Sequence, residues 1–260
     1  MQNNKDESDS LKLPVFMGLN EQNKEVYADL AKIPHLLVIG DTGTGKTMWL
    51  TNAILTLIRK YSSDMLKISL IDCGYVDYFG FEKLKHLMGP SGTDATGAIE
   101  RLKAIDNEIA ERYRRMSQLG VRNIEEYNQK SEEKLPYIVC VIDELAELMV
   151  NYQKETEEFL ERITHMGRAP GIHLMVATRE VMPEVMSPKV RLYLKSFIAY
   201  GIREPRYDID YMRAYLDGVE PCELSKLGDH IYKNEFEAPI KFGGRFVSDE
   251  DIAAEVEKLN

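Results

Sequence analysis

Five short apolar runs, at positions 36 to 40, 67 to 72, 137 to 143, 172 to 178 and 196 to 200, alternate with segments whose apolar residues recur every three or four positions. The runs are too continuously apolar to face water on one side, so they predict strands buried on both faces. Between them the helical period is plain. Met48 to Lys60 carries Leu50, Ile54, Leu57 and Ile58 with no Gly or Pro to break it. Ile99, Leu102, Ile105, Ile109, Tyr113 and Met116 trace one face of a long helix that Gly120 stops, and Leu145 to Met166 reads as another helix. Such alternation predicts an α/β fold, with a mostly parallel central sheet flanked by helices on both faces. No repeat, low-complexity tract or linker divides the chain. Residues 13–260 therefore read as one domain behind a leader, residues 1–12, in which Asp6, Glu7 and Asp9 lie among Asn, Gln and Ser; that stretch is too polar to offset its ordering entropy and is expected to be disordered.

The chain has 260 residues, enough for one parallel-sheet domain with a substantial core. At 44% hydrophobic and 29% charged it reads as a globular cytoplasmic protein, with no apolar run near the ~20 residues that span a bilayer and no signal peptide. Cys73, Cys140 and Cys222 lie far apart without C-x-x-C spacing, which fits reduced thiols and not a zinc or disulfide framework. Cys140 falls inside an apolar strand, where a small buried hydrophobe is the expected role. The formal net charge of −10 argues against a broad nucleic-acid-binding face, because gripping phosphates needs clustered Lys and Arg; a narrow basic lining stays compatible with it.

One motif carries most of the chemistry. Gly40-Asp41-Thr42-Gly43-Thr44-Gly45-Lys46-Thr47 fits G-x-x-x-x-G-K-[ST], and it sits between a predicted strand and a helix starting at Met48, where a phosphate cradle must sit. Glycines allow close backbone approach, and the helix N-terminus favours an anion. Gly40 through Met48 is therefore the candidate nucleotide-binding segment, with Lys46 on the outer phosphates and the Thr47 hydroxyl on Mg²⁺. The bland alternative is a chance glycine turn before a helix, which the strand and helix flanks disfavour. The second signal is Tyr137-Ile138-Val139-Cys140-Val141-Ile142-Asp143-Glu144, an apolar strand ending in two acids. Placed next to the glycine-loop strand, Asp143 completes the metal shell opposite Thr47 and Glu144 serves as base for an attacking water. Without the glycine loop the same run would be a strand with a solvated end.

Arg168, just before the strand at 172 to 178, is the first candidate for a cation acting on the transferred phosphoryl group of a neighbouring subunit. A helix C-terminal cation is the competing reading, and the residues alone leave both open. Arg213 is a weaker candidate. Arg112, Arg114 and Arg115, accompanied by Glu108 and Glu111, read as a solvated helical face. His35, His165 and His173 are scattered singly, and Trp49 reads as packing.

Asp29-Leu30-Ala31-Lys32-Ile33-Pro34-His35-Leu36-Leu37-Val38, leading into the glycine loop, resembles the motor domain of FtsK/SpoIIIE DNA translocases. So do Glu111-Arg112-Tyr113, the stretch Met116 to Asn123 with Tyr127-Asn128, Asp143-Glu144-Leu145-Ala146-Glu147-Leu148-Met149, and Arg168-Ala169-Pro170-Gly171-Ile172-His173-Leu174 with Ala177-Thr178. Leu227-Gly228-Asp229 and the run from Gly244 to Glu250 complete a pattern that covers nearly everything after residue 13. The resemblance implies a RecA-like P-loop ATPase that assembles as a homo-oligomer, a hexameric ring, and draws double-stranded DNA through its pore without sequence preference, for chromosome segregation or transfer of a plasmid or other mobile element. It implies ATP and Mg²⁺ as cofactors. It assigns Lys46 and Thr47 to phosphate and magnesium, Asp143 and Glu144 to magnesium and water activation, and Arg168 to the trans-acting arginine. A separate membrane partner at the inner face of the membrane is compatible with it.

The sequence departs from the family at several places. Ala177-Thr178 is followed by Arg179-Glu180-Val181, where the family usually has Gln-Arg-Pro, and a guanidinium cannot imitate an amide. The strand that usually ends Asp-Pro-Lys ends here Asp72-Cys73-Gly74. Two other readings follow: an ATPase of the same fold that moves a polypeptide in protein secretion, and a nucleotide-binding ring scaffold with weak turnover.

Overall fold

The computed structural model describes residues 5–73, 78–89, 94–201, 213, 224, 226–234 and 237–259, with side chains from Ser8 onward. Five parallel strands form the centre: β3 (His35–Ile39), β4 (Leu66–Asp72), β5 (Tyr137–Asp143), β6 (Ile172–Thr178) and β7 (Ser196–Tyr200). Each coincides with an apolar run to within a residue, because continuous apolarity is what burial on both faces demands. Two antiparallel strands, β8 (His230–Lys233) and β9 (Ile240–Phe242), extend the sheet, whose order is β4-β5-β6-β3-β7-β8-β9. The acidic strand β5 is therefore not beside the glycine-loop strand β3, as the sequence reading had it; β6 lies between them. Strand order is decided by crossover connections, which local hydrophobic pattern does not encode.

Side chains alternate along each strand and divide into two cores. Leu36, Val38, Val139, Val141 and Ala177 face helix α2 (Lys46–Lys60) and the C-terminal helix α7 (Asp249–Leu259). Leu37, Ile39, Cys140, Ile142 and Val176 face α3 (Ala95–Leu119), α5 (Leu145–Met166) and α6 (Pro188–Tyr193). Cys140 is fully buried, as expected, and Cys222 lies outside the described residues. Asp94 caps α3 by accepting from Gly97 N (2.6 Å), and Gly120 closes it. Asn123 then caps α4 (Ile124–Lys130) by accepting from Glu126 N (2.9 Å), so the Leu-Gly-Val-Arg-Asn run spells one helix stop and one helix start.

The sequence pattern missed a hairpin, β1 (Pro14–Leu19) with β2 (Glu25–Asp29), which joins β9 through Leu19 and Gly243. Four of the five β2 residues are half-buried, too weak an alternation to stand out. Within the segment expected to be a disordered leader, α1 (Lys5–Ser10) forms a short helix, and Lys60 Nζ donates to the carbonyls of Ser8 (3.1 Å), Asp9 (2.9 Å) and Leu11. No helix among the described residues is long and apolar enough to cross a membrane.

Candidate active site

The glycine loop opens at the C-terminal end of β3. Gly40 N donates to Thr178 O (3.3 Å), continuing the β3–β6 ladder by one residue. A Cβ on Gly40 would lie 2.6 Å from Tyr200 Cβ on β7, so only glycine lets the loop leave the strand there. Gly45, with φ 118°, is the left-handed residue from which α2 starts at Lys46. Lys46 is 8% exposed, and its Nζ donates to Gly40 O (2.8 Å) and Asp41 O (3.1 Å). The ammonium is thus held over the loop by carbonyl oxygens, acceptors of the kind a phosphate supplies. Burial lowers its pKa from the ordinary lysine value, while Glu144, Asp143 and Asp41 counteract the shift.

Ninety-six positions along the chain, the structure brings the second motif to the first. Thr47 Oγ1 donates to Asp143 Oδ2 at 2.7 Å. The insertion of β6 does not separate the motifs, because α2 begins over the C-terminal edge of the sheet where β5 also ends. Asp72, at the end of β4, joins Thr47, Asp143 and Glu144 around a cleft of about 470 Å³. The hydroxyl and carboxylate donors are hard oxygens, which fits Mg²⁺: such an ion takes one or two carboxylates and keeps its other positions for phosphate oxygens and water.

Glu144 sits at φ 69°, a left-handed conformation for a residue with a Cβ, at a cost of about 1–2 kcal/mol. The turn swings its carboxylate to cap α5 (Ala146 N, 3.4 Å) and to meet Thr178 Oγ1 and Arg179 N, both at 3.3 Å. Backbone strain at a polar residue in a cleft fits a positioned base. Tyr78, which no sequence signal singled out, is buried and donates from its hydroxyl to the same Asp143 oxygen at 2.9 Å.

A second, more apolar cavity of about 240 Å³ lies on the other side of the loop, against Gly43 to Gly45. Phe16, Trp49, Tyr200 and Phe246 line it with Gly228 and Arg245. Trp49 packs in the core as expected and also presents to this cavity. Arg245 holds the wall together: it exchanges hydrogen bonds with Asn52 (2.9 Å each way), pairs with Glu25 (2.5 Å) and lies 4.4 Å over the Phe16 ring. The Leu-Gly-Asp and Gly-Arg-Phe runs near the C-terminus thus lie at the glycine-loop end of the molecule. Sequence reasoning could not place them there, since they lie about 200 residues from the loop.

Arg168 is at the opposite end of the sheet. It is exposed beside a cavity shared with Lys32, Arg122 and His173, and the seven residues of β6, about 20 Å of strand, separate it from the glycine loop. Within one chain it cannot reach the cleft. Its loop is held by three carbonyls: Met166 O accepts from Tyr113 Oη (3.0 Å), Ala169 O from Ile124 N (2.9 Å) and Pro170 O from Arg112 Nη1 (2.8 Å). Arg112 is consequently not part of a solvated face. It is 1% exposed, with Glu108 on its Nε (2.7 Å), whereas Arg114 points to water. The position falls on the inner edge of the apolar stripe, where a charge between two glutamates misleads. His35 and His173 are also brought together, buried at this end of β3 and β6; among the described residues no group of three or more His, Cys, Asp or Glu could hold a metal ion. Arg213 is half-buried and helical, and its sequence neighbours lie outside the described residues.

The FtsK/SpoIIIE family matches residues 1–185. The chain is 34% identical to the DNA translocase SftA of Bacillus subtilis (strain 168) over 246 residues, 92% of this chain and 25% of SftA. It is 32% identical to the DNA translocase SpoIIIE of the same organism over 259 residues, 95% of this chain and 32% of SpoIIIE. It thus spans a quarter to a third of the length of these relatives. Among solved structures, the pCW3 conjugation coupling protein TcpA superposes with a TM-score of 0.81 at 23% identity, covering 100% of this chain and 73% of TcpA. The cytoplasmic domain of the Thermomonospora curvata type VII secretion ATPase EccC gives 0.81 at 23% identity, covering 95% and 31%. With the glycine loop, the acid pair and the parallel sheet in register, the chain belongs to the FtsK/SpoIIIE family of P-loop ATPases.

Proposed function

We propose that residues 13–260 form one ATP-hydrolysing motor unit that moves duplex DNA. The observation that carries hydrolysis is the 2.7 Å contact between Thr47 and Asp143, with Lys46 and Glu144 on the same cleft. In this reading the triphosphate lies along Gly40 to Thr47, with its base in the apolar cavity beside Trp49 and Phe246. Thr47 and Asp143 would hold Mg²⁺, which would supply positive charge to the outer phosphates. Lys46 exchanges its two loop carbonyls for phosphate oxygens. Glu144 accepts the proton of the water that attacks the γ-phosphorus, and the bond from that phosphorus to the β-bridging oxygen breaks. Arg168, remote from its own cleft, reaches a transferred phosphoryl group only from a neighbouring copy. A head-to-tail ring, six-fold in our reading, supplies that geometry.

DNA as cargo is supported by the DNA translocases among the relatives above 30% identity. Contact with the phosphate backbone inside a pore suits an acidic chain better than a broad basic face, and it makes binding salt-dependent and sequence-tolerant. The type VII secretion ATPase shares the fold equally, so a polypeptide cargo is the second reading. ATP turnover at low salt, with and without duplex DNA and with Glu144→Gln as the inactive control, separates them. Stimulation by duplex DNA of any sequence is expected. Turnover indifferent to DNA but raised by a secreted polypeptide would favour the second reading, and absence of turnover the scaffold.

A further inference from the structure

We propose that Thr178 is a positioning residue for hydrolysis: its hydroxyl aims the Glu144 carboxylate, while its backbone carbonyl holds the first residue of the glycine loop. The proposal rests on reading Glu144 as the base. Its first ground is register. On one flank of β6, Ile39 pairs with Thr178, and Gly40 N donates to Thr178 O at 3.3 Å. On the other flank Ile142 pairs with Val176, which puts Thr178 level with Glu144 two residues further on. Because β6 lies between β3 and β5, this one residue ties the loop that would cradle the phosphates to the acid that would activate the water.

The second ground is where the hydroxyl proton can go. Thr178 is fully buried, so its Oγ1 must find its partners inside the protein. The Glu180 amide donates to it at 3.2 Å, and two acceptors stand within reach, Glu180 O at 3.0 Å and Glu144 Oε1 at 3.3 Å. A hydroxyl has one proton for both. An ionised carboxylate is the stronger acceptor, so the hydroxyl turns to Glu144 while that group is a base and back to Glu180 O once Glu144 has taken a proton from water. Thr178 keeps its own proton throughout. The third ground is the way Glu144 is held. Among the described residues its three donors, Thr178 Oγ1, Arg179 N and Ala146 N, all meet Oε1 at 3.3 to 3.4 Å. Each contact is long, so the three fix the carboxylate together and none does so alone; two are backbone amides, and Thr178 supplies the one side chain. Oε2 is thereby left for a water in the cleft that Glu144 lines.

Single-turnover hydrolysis by the full chain at saturating magnesium-ATP, followed by rapid quench beside ATP affinity by calorimetry, tests this. Thr178→Val, which keeps the shape without the hydroxyl, is expected to slow hydrolysis about tenfold or more while ATP affinity stays within about threefold. Thr178→Ser keeps the hydroxyl and should hydrolyse within about threefold of wild type, whereas Thr178→Ala should be as slow as the valine variant. The serine and alanine variants both lack the methyl group, so their difference isolates the hydroxyl even where the valine variant does not fold. In a Glu144→Gln background, Thr178→Val should slow hydrolysis no further. Equal rates for the serine and alanine variants, or an equally large loss in the Glu144→Gln background, overturn the proposal. A Glu144→Gln protein that hydrolyses ATP at the wild-type rate would instead overturn the reading of Glu144 as the base.

Discussion

At the C-terminal ends of β3, β4 and β5 the polar residues converge on open space: Lys46 and Thr47 follow the first strand, Asp72 ends the second, and Asp143 and Glu144 close the third. At the N-terminal ends of the same sheet His35 and Arg112 are as polar, yet they are shut inside the packing, and His173 is buried against the wall of the cavity beside Arg168. The difference follows from what each group meets. Arg112 has its Pro170 carbonyl and Glu108, whereas the carboxylates of the other edge face a cleft that a ligand can enter. In a parallel sheet the loops that leave strand C-termini also lead into helix N-termini, which is where an anion is favoured. One edge is thus built to exchange partners, whereas at the other Arg112 keeps its own.

The sharpest way to break this contrast is to remove the exchange chemistry. Glu144→Gln keeps the shape and the three donors around the side chain but cannot accept a proton. ATP turnover should fall by about 10²–10⁴-fold with little change in ATP affinity. A rapid-quench measurement of single-turnover hydrolysis checks this, and a loss below about tenfold would mean that Glu144 is only the cap of α5.

Acid should act on the other edge. Burial lowers the pKa of His35 from 6.5 to about 3 and that of His173 to about 4. The unfolded chain takes up protons near pH 6.5 while the folded chain keeps both rings neutral. The associated stability is complete above pH 6.5 and is lost as pH falls below it towards 4. Each proton counts ~1.4 kcal/mol per pH unit, so the pair should cost on the order of 2–4 kcal/mol between pH 6.5 and 5, above the main carboxylate range. Urea midpoints read across that window should decline; a flat profile would show that these histidines protonate without unfolding.

The residues at the exchange edge were largely legible in the sequence, since their signals are local. A glycine loop between strand and helix, and two acids closing an apolar run, name Lys46, Thr47, Asp143 and Glu144 without knowledge of strand order. What stayed hidden needs the third dimension. The position of β6 between β3 and β5, which gives Thr178 its place, is a matter of crossover. The wall formed by Phe16, Arg245 and Phe246 joins the two ends of the chain at the glycine loop. Arg112 shows the opposite failure: its charged sequence neighbours suggest a solvated face, but the side chain is buried against the Pro170 carbonyl and the Glu108 carboxylate. Arg168 was a candidate from its position before the strand at 172 to 178, the resemblance then favoured a trans-acting role, and only the fold separates it from its own cleft.

Arg112→Met sharpens the comparison further. The substitution keeps an unbranched stem but leaves the Pro170 carbonyl without its guanidinium donor, a penalty of about 1–3 kcal/mol with some added packing loss. Urea unfolding should shift by that amount, while ATP affinity at the far end of the strands stays within about twofold. A change in ATP affinity without a change in stability would mean that the two edges are coupled.

Tyr78→Phe should have the smallest effect and tests whether a buried hydroxyl at the exchange edge behaves like the buried groups of the other. Tyr78 packs 6.2 Å from the Phe81 ring and donates to the Asp143 oxygen that also accepts from Thr47. The phenylalanine fills the same space, so stability should change by no more than ~1 kcal/mol. Asp143, however, loses a donor that fixes its direction towards the metal position. The magnesium concentration for half-maximal turnover should then rise about three- to tenfold while nucleotide affinity without metal is unchanged. If the magnesium requirement stays put and only stability falls, the Tyr78 hydroxyl serves packing alone, and the two edges differ in their loops but not in how they use buried polar groups.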